Sequence, residues 1–106
     1  MKKFMVIYYG TAEAMSKMAQ QSEEEKAASM QKWFAWKEQM GEHLVDFGAP
    51  LMSGHALDKV AENKDPQKLI TGYSIVQGDN VEQLEDLFKS HPHVGAGVDL
   101  FEYISM

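Results

Sequence analysis

The chain has 106 residues, enough for one small domain, and its 44% hydrophobic, 25% charged and 10% aromatic content belongs to a globular sequence rather than a disordered or collagenous one. A net charge of −6, with every cation a lysine, is the wrong sign for following a nucleic-acid backbone and offers no guanidinium for a bidentate grip on phosphate or carboxylate. The absence of cysteine excludes disulfides, thiolate nucleophiles and cysteine-held metal centres.

The run Phe4-Met5-Val6-Ile7-Tyr8-Tyr9 follows two lysines as the core of a targeting signal would. It falls short of the about 7–15 apolar residues of a secretory core and the about 20 of a membrane span, so it reads as a buried strand. No membrane partner and a cytoplasmic location are the expectation. Gly10 breaks the strand, and Thr11 opens a short helix over Ala12–Ala19 on the spacing of Met15, Met18 and Ala19. Ser22 with Glu25 forms a capping box that starts a longer helix. Its apolar stripe is Ala27, Met30, Trp33, Phe34, Met40 and Leu44. Gly48 reads as the glycine just past its end, with Pro50 preventing its resumption, and Gly41 as a close approach to the sheet.

A strand is expected around His55–Ala61, followed by the polar turn Glu62-Asn63-Lys64-Asp65-Pro66. Leu69–Gln77 is rich in strand formers and is closed by Gly78. Asp79 and Asn80 offer overlapping capping boxes, to Glu82 and Gln83, ahead of the helical spacing Val81, Leu84, Leu87, Phe88. Pro92 stops that helix just after Ser90-His91, and past Gly95 and Gly97 the tail Val98–Ile104 alternates as a strand does. With the short extra helix set aside, the order is strand, helix, strand, strand, helix, strand. This predicts a single α+β domain of ferredoxin-like βαββαβ type, an antiparallel sheet with both helices on one face. The first and third strands are apolar at both parities, so the bare face calls for a cover, and a homodimer packed sheet against sheet supplies it.

Several stretches resemble the YCII-related family of small dimeric α+β barrel proteins. They are the opening Lys2–Tyr9, Trp33 and Trp36 followed by Gly41–Leu51, Gly72-Tyr73-Ser74-Ile75, Ser90-His91-Pro92-His93-Val94 and the closing Glu102-Tyr103-Ile104. The resemblance implies a ferredoxin-like protomer, a homodimer and a sheet–helix cleft of the kind in which related barrels carry out monooxygenase or isomerase chemistry. Some members are proposed to use a histidine early in the first long helix with an aspartate before a proline after the second. Here Ser22–Lys32 holds no histidine and His91 precedes Pro92, so that pair does not carry over.

Histidine is the natural acid–base group near neutral pH, and the chain has His43, His55, His91 and His93. In His91-Pro92-His93 the proline fixes the backbone at a helix exit and Gly95 and Gly97 leave room for a ligand. The alternative is that His91 only caps the helix. His43 and Asp46, three apart at the end of the long helix, form a second candidate acid–base pair or an ordinary surface pair. A metal held by His91 and His93 lacks a matched third ligand in the sequence, so neither metal nor cofactor is assigned. The expectation is a cofactor-independent enzyme using histidine acid–base catalysis on a small organic molecule, the alternative a non-catalytic small-ligand-binding or accessory module. Trp33, Trp36 and the methionines read as core.

Overall fold

A computed structural model describes residues 1–51 and 54–104. Strand β1 (Lys2–Gly10) is followed by helices α1 (Ala12–Ala19) and α2 (Glu23–Met40), a 3₁₀ turn Gly41–His43, and strand β2 (Leu44–Pro50). Then come the single turn α3 (Lys59–Glu62), strand β3 (Leu69–Gly78), helix α4 (Val81–Phe88) and strand β4 (Val98–Glu102). The four strands form one open sheet in the order β2-β3-β1-β4, every neighbouring pair antiparallel.

The three expected helix starts are present, each with its own variation. Thr11 Oγ1 accepts from Ala14 N at 2.9 Å. Ser22 Oγ accepts from Glu25 N at 3.1 Å and donates to the Glu25 carboxylate at 3.3 Å, so the glutamate meets the hydroxyl rather than the backbone N–H of the cap. Of the two overlapping boxes, Asn80 prevails: its side chain accepts from Gln83 N, and Gln83 Oε1 reaches back one residue further, to Asp79 N, at 2.8 Å in each case.

Three expectations between the helices are overturned. The long helix ends at Met40, not near Gly48, because Gly41 turns the chain at φ +52° and ψ −123°, a conformation that costs glycine little. Gly41 makes no close approach: a Cβ there would find nothing within 4 Å. The residues beyond it are a strand, and Leu44 continues the helical spacing of Met40 only by coincidence. Gly48 instead sits at φ +80° in an irregular stretch of β2, where a Cβ would lie 1.8 Å from the carbonyl oxygen of Tyr73. Asp46 Oδ1 accepts from Gly48 N at 2.8 Å, a local side-chain turn that shapes this irregularity. The second strand is therefore Leu44–Pro50. The stretch expected as a strand around His55–Ala61 runs into α3, with Leu57 and Val60 almost fully exposed.

One face of the sheet carries Phe4, Val6 and Tyr8 of β1 and Ser74 and Val76 of β3, all buried. They pack with Trp36 and Met40 of α2 and Leu84 and Phe88 of α4, so both helices cover the same face. The inward stripe of α2 is Trp36 and Met40, both buried, with Trp33 half-buried beside them, whereas Ala27, Met30 and Phe34 of the expected stripe are exposed. The first half of α2 runs past the sheet. On the other face Met5 lies opposite both Ile75 and Phe101, and Ile7 opposite both Tyr73 and Asp99. Phe101 is 50% exposed there. The molecule measures only 19 Å through its thinnest direction, room for one sheet and one helix layer. No helix among the described residues is long and apolar enough to cross a membrane.

Candidate functional site

The segment between α4 and β4 is a compact turn held by its own backbone. His91 N donates to Phe88 O at 3.0 Å, Val94 N to His91 O at 3.3 Å and Ala96 N to His93 O at 3.0 Å. Gly95 and Gly97 take positive φ, and Gly97 O accepts from Tyr9 N at 2.9 Å, which ties the turn to β1. Its two histidines end in different surroundings.

His91 is 4% exposed. Its ring lies between aromatic groups from three elements: Trp36 at 4.4 Å and Trp33 at 4.6 Å meet it edge to face, while Tyr8 at 5.1 Å and Phe88 at 5.3 Å stack on it. The donors around it fix its protonation. His93 N donates to His91 Nδ1 at 2.9 Å, so that nitrogen is unprotonated and Nε2 carries the hydrogen. Nε2 then donates to the Tyr8 hydroxyl at 3.2 Å, Tyr8 donates to Ser74 Oγ at 2.8 Å, and Ser74 donates to the carbonyl of Phe47 at 2.6 Å. This directed chain runs from the turn across β1 and β3 to the irregular part of β2, and it satisfies every polar group along it. Burial holds the imidazole down to a pKa of about 4, with a smaller push from His93, and burial raises the Tyr8 phenol to about 12 against the opposing Ser74 bond. His91 is therefore neutral at pH 7, with no free nitrogen to take a proton. It does not cap α4 either, because its ring nitrogens bond to His93 and Tyr8 rather than to the last carbonyls of the helix.

His93 is half-buried. Its Nε2 lies 2.6 Å from the carbonyl oxygen of Tyr9, which only an N–H can face, so in the neutral ring the lone pair is on Nδ1. Nδ1 has no hydrogen-bond partner among the described residues. The ring is flanked by Tyr8 at 5.6 Å and Trp33 at 6.1 Å. Trp33 continues the aromatic border toward Phe47 at 6.4 Å, and Phe34 lies 6.0 Å from Phe47 on the outer side. Here a carbonyl fixes the tautomer and leaves the second ring nitrogen without a partner beside an aromatic wall, an arrangement compatible with a general base.

The other sequence candidates do not join this group. His43 is in the 3₁₀ turn and donates from Nδ1 to Gln77 O at 3.0 Å, whereas Asp46 is in β2 and bonds Gly48 N. The helix that would have aligned them on one face ends before either residue. His55 is exposed in the stretch before α3. No group of three or more His, Cys, Asp or Glu among the described residues is placed to hold a metal ion.

A cleft open to solvent lies between α4 and β4, with a volume of about 610 Å³. The 91–97 turn contributes Val94, Gly95 and Gly97 to its wall, while His91 and His93 face away from it toward Tyr8 and Tyr9. In the sequence Tyr8 reads as a strand tyrosine that serves the sheet or offers its hydroxyl to a ligand carbonyl, and no linear pattern pairs it with Ser74 or His91. The available signal was parity: Tyr8 follows Phe4 and Val6, and Ser74 precedes Val76, so each puts a hydroxyl on an inward position that requires a bonding partner.

No family model matches this chain, and no curated protein matches it significantly.

Proposed function

We propose that the protein is a small homodimeric acid–base catalyst in which His93 abstracts a proton from a small organic molecule seated against Trp33 and Phe47. The observation that carries the reading is the 2.6 Å bond from His93 Nε2 to the Tyr9 carbonyl, which leaves Nδ1 as the one open imidazole nitrogen at this site. His91 serves as a neutral brace: its Nδ1 accepts from the backbone of His93, so the buried chain through Tyr8 and Ser74 sets where the base stands.

The reaction class is reversible proton abstraction next to a carbonyl: the C–H proton passes to His93 Nδ1, the electron pair is held as the enolate, and the imidazolium returns a proton to the same carbon. It is tested by deuterium exchange into a panel of small enolisable carbonyl compounds, followed by NMR. Wild-type protein is expected to accelerate exchange for at least one of them, and His93→Gln to remove about 10²-fold or more of that acceleration with an unchanged melting temperature. Exchange as fast in His93→Gln as in the wild type contradicts the assignment. A non-catalytic module that only binds small ligands is the second reading, favoured by the complete burial of hydrogen-bonding capacity at His91. It predicts binding without exchange for every compound.

The proposed family is the YCII-related one and the proposed assembly its dimeric α+β barrel. The strand order β2-β3-β1-β4, antiparallel throughout with α2 and α4 on one face, supports a ferredoxin-like protomer. The paired apolar residues Met5, Ile7, Tyr73, Ile75 and Phe101 on the other face support a second copy as its cover. Sedimentation of the 12.0 kDa chain is expected to give a dimer of about 24 kDa, and Phe101→Asp, at an exposed site that leaves the core untouched, is expected to return it to the monomer. A monomeric wild type at micromolar concentration contradicts this assembly.

A further inference from the structure

We propose that the cleft between α4 and β4 is a second site, which takes a small apolar amine with its aliphatic body on Val94, Val98 and Leu100 and its ammonium at Glu85. The volume of about 610 Å³ lies within the range of small-molecule sites. Val81 on α4 and Val94 on the facing turn are 42% and 51% exposed, so both lips present hydrocarbon to solvent, with Phe88 as the floor. Between them the wall is bare backbone at Gly95, where a Cβ would meet nothing within 4 Å. The rim selects the charge. The only ammonium lining the cleft, Lys89, is already bonded to Asp86 at 2.8 Å, and Glu85 is the second carboxylate beside it. Two carboxylates against one ammonium leave one negative charge in excess, and Glu85 forms no ion pair of its own among the described residues. A carboxylate ligand meets like charge at this rim, whereas an amine completes it.

The cleft is separate from the proposed base, since His93 does not line it. It nonetheless has a built-in reporter, because Phe88 lies 5.2 Å from Trp36. The test titrates hexylamine, hexan-1-ol and hexanoate into the protein, following the methyl resonances of Val81, Val94 and Val98 together with tryptophan emission. Hexylamine is expected to bind about three- to fivefold more tightly than hexanol, the gain typical of one exposed charge pair, and hexanoate most weakly. Glu85→Gln is expected to bring hexylamine to the level of hexanol. Val94→Trp, at an exposed lip outside the core, is expected to weaken amine and alcohol alike while the melting temperature holds. Hexanoate binding as tightly as hexylamine, an amine preference that survives Glu85→Gln, or no saturable shift at the three valines overturns the proposal. The His93 exchange assay reads none of these quantities, so the two readings fail independently.

Discussion

Gly48→Ala is expected to destabilise the protein by at least about 3 kcal/mol, because it combines two separate penalties. A non-glycine residue held at positive φ costs on the order of 1–3 kcal/mol, and here φ is +80°. The new methyl would also stand 1.8 Å from the Tyr73 carbonyl oxygen, so β2 would have to part from β3 at its least regular point. Phe47 O, which receives the Ser74 hydroxyl, is the adjacent peptide, so the buried hydrogen-bond chain would lose its terminal acceptor as well. Gly41→Ala is the internal comparison: φ there is +52° but the space around it is open, so only the conformational penalty, on the order of 1–3 kcal/mol, applies. Chemical denaturation of both variants checks the account. A Gly48→Ala loss no greater than that of Gly41→Ala contradicts it.

Acid is expected to weaken the fold at a pH well above that of ordinary carboxylate titration. The sign follows from where His91 binds its proton. In the unfolded chain an imidazole titrates near 6.5, whereas in the fold burial lowers His91 to about 4. Between those values the unfolded state carries a proton that the folded state refuses. Stability from this group is therefore complete above pH 6.5 and falls as the pH drops toward 4, by about 3 kcal/mol in all. Protonation at Nδ1 also turns the His93 N–H bond into a clash of two donors, so the 91–97 turn is the first part to loosen. Denaturation midpoints measured from pH 7.5 to 4 are expected to decline steadily, and His91→Phe, which keeps an aromatic ring in the box, is expected to remove the decline from this group. A midpoint that stays level between pH 6.5 and 5 in the wild type contradicts a buried neutral His91.

Local signals explain which parts of the fold were legible. Thr11, Ser22 and Asn80 each carry their capping partner within three residues, so three helix starts are written in consecutive positions. β1 and β3 are continuous runs of strand formers. The second strand was hidden because Gly48 and Pro50 look like a helix stop and because Leu44 lies four residues after Met40. The deciding property, the positive φ of Gly41, depends on where the chain must go next. The stripe of α2 was misplaced for a related reason: Phe34 is as apolar as Trp36, and only the position of the sheet decides which is buried. The site was legible at the level of His91-Pro92-His93, but not in its division of labour. Tyr8 and Trp36 lie 83 and 55 positions from His91, and nothing in a linear pattern shows that they enclose it while His93 stays open.

The central claim is that the two histidines are held in defined and unequal states, His91 sealed and neutral, His93 with its Nδ1 free. Long-range ¹H–¹⁵N correlation spectra of the imidazole side chains at pH 7.5 read this directly. The arrangement predicts His91 as the Nε2–H tautomer, with an unprotonated, hydrogen-bonded Nδ1 that persists down to about pH 5, and His93 also as the Nε2–H tautomer with an unbonded Nδ1. A His91 that is the Nδ1–H tautomer at pH 7.5, or that is already an imidazolium at pH 6, would contradict it.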